Sequence, residues 1–153
     1  MTIIFKKGNS KNSITCKRAD GTSTWMEASG FMVVHDLAHV AVEQHFQMNM
    51  GFYGLLESGL DITDFERKQK ITPQQLPPES IKTELLVNLI LTEKHDKKEL
   101  DNFNDTFNMS AIKSGLRQEE FDDEDLRAVR KRVDELITRW QNLPVNESLI
   151  IPW

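Results

Sequence analysis

The chain has 153 residues, 39% apolar and 28% charged, which suits one folded core and argues against global disorder. Its net charge of −5 and pI near 5.4 argue against a nucleic-acid binder, which shows a basic face. A lone cysteine, Cys16, excludes an intrachain disulfide and suits a reducing compartment, and no window approaches the roughly 18 apolar residues of a membrane span.

The N-terminal Met1-Thr2-Ile3-Ile4-Phe5-Lys6-Lys7 lacks the apolar run of a signal peptide, so the expectation is a cytoplasmic, soluble protein of one domain over residues 1–153. Residues 2–26 read as a three-stranded meander. Ile3 and Phe5 alternate with Ile4 and Lys6, and a Gly8 to Asn12 turn leads to Ser13–Arg18. Asp20-Gly21 then signals a hairpin into Thr22–Met26, because both turn positions must accept positive φ. Ile3, Phe5, Ile14, Cys16 and Trp25 are the candidates for the buried face.

Ser29 is a plausible N-cap for a helix from about Gly30 to Met48. A short helix, Gly51–Gly59, follows, punctuated by glycine at both ends, and Thr63 opens a turn containing Phe65. Lys68 to Glu79 holds Pro73, Pro77 and Pro78 and reads as the clearest linker. Three more helices are expected: Ser80 to His95, Lys97 to Ser114, and Glu119 to Trp140. The last carries Leu126, Val129, Val133, Leu136, Ile137 and Trp140 as an apolar stripe, with acids at its start and bases later. The tail, Leu143 to Trp153, can add an edge strand to the sheet, stopped by Pro152. The predicted fold is α+β: a small antiparallel N-terminal sheet packed against about five helices.

The chemistry-bearing stretch is Phe31 to Glu43. At about 100° per residue, His39 falls about 40° from His35, both at the edge of the apolar arc, with Asp36 and Glu43 on its border. Two histidines at i and i+4 can reach one ion. Glu43 lies two turns from His35, about 12 Å along the axis, which makes it a poor co-ligand. It suits an orienting contact to His39, or an acid/base role that Asp36 could share. The third ligand must come from another element: Glu57 first, then Asp61 and Asp64, with Glu84 a remote candidate. Asn88 stands among leucines and isoleucine and is read as a buried amide. Buried histidines satisfied by hydrogen bonds are the competing explanation of the pair. His45 reads as a core or boundary histidine, and His95 as the exposed end of a helix.

His35-Asp36-Leu37-Ala38-His39-x-x-Val42-Glu43, followed by Gly51-Phe52-Tyr53-Gly54-Leu55-Leu56 and Asp61-Ile62-Thr63, resembles a family of short uncharacterised bacterial proteins. The resemblance covers roughly residues 1–66 and implies no activity. The same helix is similar to the zinc motif H-D-x-x-H-x11-E of ubiquinone-biosynthesis scaffold proteins. His35, Asp36 and His39 match it, but its glutamate position falls on Gly51. In the H-E-x-x-H metallopeptidases a glutamate stands where this chain has the shorter Asp36, which puts peptidase chemistry in doubt.

The expected function is a divalent-metal site, zinc by preference, on His35 and His39 with Glu57. If catalytic, its reaction is metal-assisted hydrolysis with Asp36 or Glu43 moving the proton. The alternative is a non-enzymatic protein that binds another protein or a small molecule, its histidines being structural. Neither reading involves nucleic acid or membrane.

Overall fold

Three strands, β1 (Thr2–Lys6), β2 (Asn12–Lys17) and β3 (Ser23–Ala28), form the expected meander, and β4 (Ser148–Pro152) returns from the far end of the chain. The sheet is antiparallel throughout, in the order β3-β2-β1-β4. The computed structural model describes residues 1–65 and 76–153.

The hairpin between β2 and β3 forms where Asp20-Gly21 predicts it. Gly21 takes a φ of 88°, and Asp20 Oδ1 accepts hydrogen bonds from the Thr22 amide at 2.9 Å and the Thr22 hydroxyl at 2.7 Å. Register then decides which side chains share a face. Ile3 pairs with Cys16, and Cys16 with Thr24; Phe5 pairs with Ile14, and Ile14 with Met26. These residues, with Leu149 and Ile151 of β4, form the inner face. Trp25 pairs with Thr15 on the outer face and is 60% exposed, so its expected burial is corrected. Along a strand the period is two, and neighbours of an inward Thr24 must point out.

The inner face carries α1 (Gly30–Phe46), which also packs against α3 (Pro78–Asp96) and α5 (Asp123–Gln141). Ser29 caps α1 as expected, its hydroxyl accepting from the Met32 amide at 3.2 Å. Surrounded on several sides, α1 buries even Asp36, His39 and Glu43, together with Val33, Leu37, Ala38, Val40, Ala41 and Val42. The exception is Phe31, which is 72% exposed at the open N-terminal end. The short α2 (Phe52–Glu57) and a single 3-10 turn, Ile62–Phe65, follow.

Helix α3 starts with Pro78 at its first position, where no amide donor is missed. The expected helix from Lys97 begins only at Phe103, as α4 (Phe103–Lys113). Lys97 instead ends α3 in a left-handed conformation, φ 53°, its amide bonded to Glu93 O, and the Lys98 amide bonds to the same carbonyl at 3.1 Å. Asn88 is exposed, which corrects its reading as a buried amide. Of the expected linker, residues 68–75 lie outside the described residues.

Two long-range contacts close the fold. Lys7 Nζ donates to the carbonyls of Trp140, Gln141 and Leu143 at 3.2, 3.0 and 2.9 Å, a cation set on the C-terminus of α5. Arg130 of α5 grips Glu93 of α3 through Nε and Nη2 at 2.8 and 2.9 Å. One continuous core joins the inner face of the sheet to all five helices. No described helix is long and apolar enough to cross a membrane.

Candidate metal centre

One helical turn separates His35 from His39, and their rings sit 4.8 Å apart. Both Nε2 atoms face the same carboxylate, Glu84 of α3. His39 Nε2 is 3.1 Å from Glu84 Oε2, and His35 Nε2 is 3.4 Å from Oε1. One donor atom from each of the three residues lies within 4.8 Å of the others. Zinc at about 2.0–2.1 Å from each donor in a tetrahedral site would need them to close to about 3.4 Å. Glu84 has room for that adjustment, since its side chain is half exposed.

Behind the rings, both Nδ1 atoms meet acids of α1. His39 Nδ1 is 3.0 Å from Glu43 Oε1, and His35 Nδ1 is 3.5 Å from Asp36 Oδ1. A histidine that donates from Nδ1 to a carboxylate presents the lone pair of Nε2 on its other edge, and its orientation is fixed.

Glu43 is itself held by the start of α2. Its Oε1 accepts from the Phe52 amide at 3.0 Å, and its Oε2 accepts from Tyr53 at 2.9 Å and Gly54 at 3.4 Å. The otherwise unsatisfied amides at a helix N-terminus thus find an anion. This packing dictates Gly51. A Cβ there would lie 2.4 Å from Glu43 Oε2, so no side chain fits where the zinc motif has its glutamate.

Charge follows geometry. Burial works to lower the His39 pKa, but hydrogen bonds to Glu43 and Glu84, and the charges of both, outweigh it and raise the value from 6.5 to about 10. Hydrogen bonds to Asp36 and then Glu84 also raise His35. Hydrogen bonds from His35 and then His39 hold Glu84 far below the usual carboxylate range. In the absence of an ion, Glu84 and His39 are therefore a carboxylate and an imidazolium; an ion would take the place of protons.

The cluster opens on a cavity of about 600 Å³. Met26, Met32, Phe52, Ile62, Phe65, Leu76, Ile81 and Leu85 supply apolar walls, and His35, Asp36, His39, Ser80 and Glu84 supply the polar ones. Phe52 packs its ring 5.6 Å from that of His39 and 5.0 Å from that of Phe65. Two buried polar atoms near the site, Asp36 Oδ2 and Tyr53 Oη, have no hydrogen-bond partner. Burial first, then the charge of Asp36, pushes the Tyr53 phenol well above its ordinary value.

The structure brings together His35, His39, Asp36 and Glu43, and adds Glu84 as the third donor. Glu57 is not part of the group, which corrects its assignment as a ligand. Its carboxylate binds the N-terminal ammonium at 3.1 Å through Oε1 and the Trp153 indole at 2.9 Å through Oε2, at the opposite end of α2 from Glu43. Asp61 faces Arg18, and Asp64 accepts from the Asp61 amide. Asn88 was a signal for Glu84 in the sequence: four residues apart on one helix, its amide donates to Glu84 Oε1 at 3.0 Å. His45 stands apart, bound to Asp125 at 2.8 Å, and His95 is exposed. Comparison with protein-family models, curated proteins and solved structures finds no match to this chain.

Proposed function

We propose that this chain is a divalent-metal protein, with zinc as the ion, held by His35, His39 and Glu84 and left with an open coordination position toward the apolar cavity. One observation carries the reading: two Nε2 atoms converge on one carboxylate while both Nδ1 atoms are backed by buried acids. Two histidines and one glutamate with a free position form a donor set of catalytic zinc, while structural zinc is closed by four protein ligands. Zinc so held would lower the pKa of a bound water, and the chemistry it would supply is metal-assisted hydrolysis.

The chain's own residues divide the remaining work. Glu43 is fully engaged by three amides and His39, so its part is to orient the ring and hold its tautomer. It has no oxygen left to move a proton. Asp36 lines the cavity beside His35, which leaves it as the group for proton transfer. A second reading also has an observation behind it. Glu84 already bridges the two rings, as it would in a metal-free cluster of a non-enzymatic binding protein.

Metal analysis of untagged protein, loaded with zinc and dialysed, separates the two. The expected result is one equivalent of zinc in the wild type and its loss in His39→Ala and Glu84→Ala. Less than about half an equivalent in the wild type, unchanged by either substitution, would end the metal reading.

A further inference from the structure

The cavity also indicates which molecules the site would admit. Resting on the metal reading above, we infer that its ligand has an apolar chain and a single metal-ligating head; a medium-chain carboxylate is the simplest probe of that class. The walls carry the first half of this. Met26, Met32, Phe65, Ile81 and Leu85 offer a lining without hydrogen-bonding groups, and a volume of about 600 Å³ lies within the range of small-molecule sites. The polar groups are not spread around it. His35, His39 and Glu84 converge within 4.8 Å, and Asp36 adjoins His35. The remaining polar wall residue, Ser80, spends its hydroxyl on the Met50 carbonyl. Among the described residues, a ligand fitted to this surface meets polar groups at one end only.

The open coordination position lies at that polar end, so the part of the ligand that reaches it must carry an atom able to bind the ion, while the rest lies against the apolar walls.

Calorimetric titration of zinc-loaded protein with hexanoate, octanoate, decanoate and dodecanoate tests this. The metal content is measured separately on the same sample. Affinity should rise about fourfold per added methylene until the cavity is full. Octanoate should bind at least about tenfold more tightly to the zinc-loaded than to the chelator-stripped protein. Ile81→Trp should keep its zinc and lose octanoate. Zinc bound at one equivalent with no dependence on chain length, or octanoate binding that survives removal of zinc, overturns this ligand class and leaves the metal reading intact. Failure to retain zinc at all overturns the metal reading, and this inference with it.

Discussion

Among the described residues, two glutamates are buried and multiply bonded, and they end in different chemistry. Glu93 accepts from Arg130 twice and from the Leu100 amide at 2.8 Å. Glu43 accepts from three amides of α2 and from His39. Glu93 is satisfied by a guanidinium that stays charged at any ordinary pH, and the network ties α3 to α5. Glu43 is satisfied by backbone plus a ring whose second nitrogen still faces outward, toward Glu84 and a cavity. The same rule, that a buried carboxylate must find donors, yields a brace in one place and an oriented ligand in the other.

Removing each carboxylate is the strongest way to break that comparison. Glu43→Ala strands three amides and His39 Nδ1 in a site with 1% exposure, and should cost about 3–5 kcal/mol in urea unfolding. Glu93→Ala should cost less, about 2–4 kcal/mol, because Arg130 can turn its guanidinium toward Glu99, 3.2 Å from Nη1. Only Glu43→Ala should also weaken zinc binding. If both variants lower zinc affinity in proportion to lost stability, Glu43 has no orienting role and the two networks are alike.

Gly51→Ala sharpens the same point with a single methyl group. The new Cβ would meet Glu43 Oε2 at 2.4 Å, and Gly51 sits at the mouth of α2 with an extended φ of −71°, so the collision and not backbone strain is the cause. An overpacking cost of about 1–3 kcal/mol is expected, together with weaker zinc binding as Glu43 shifts away from His39. Gly59→Ala serves as the control: no atom lies near its added Cβ, and its φ of 115° makes strain the only source of loss. Equal zinc affinity in Gly51→Ala and the wild type would show that Glu43 does not set the position of His39.

How much of this was legible in the chain follows from what kind of order each feature needs. The α+β fold, the cap at Ser29, the Asp20-Gly21 hairpin and the His35/His39 pair are local patterns, set by residues within a few positions of one another. The face that Trp25 takes is not legible in the chain, because an alternating strand has two candidate faces, and only pairing with β2 chooses between them. Nearness in sequence favours Glu57 over Glu84 as the third ligand. Yet Glu57 faces the chain termini from the far end of α2, while α3 crosses α1 with Glu84 against both rings. The requirement for Gly51 was invisible for a similar reason. It depends on where a glutamate eight residues earlier points after the chain has turned.

The smallest expected effect is on pH, and it distinguishes Glu84 from Glu43 as partners of His39. In chelator-stripped protein the pKa of His39 stands at about 10, against an ordinary 6.5. A raised pKa means that the folded state binds the proton more tightly, so this contribution is complete below about pH 6.5 and fades as pH climbs to about 10. Glu84 is shifted the opposite way, so its contribution is present above its ordinary value of 4.5 and fades as pH falls below it. The pair should therefore stabilise the metal-free fold most between about pH 4.5 and 6.5. Urea midpoints measured across the range should decline on the alkaline side, and in Glu84→Gln the decline should finish at lower pH, because Glu43 alone then holds the proton. Glu84 is half exposed, so solvent weakens its share, and the shift should be modest. A variant whose alkaline decline coincides with that of the wild type would mean that Glu84 does not engage His39, and the proposed metal site would lose its third ligand.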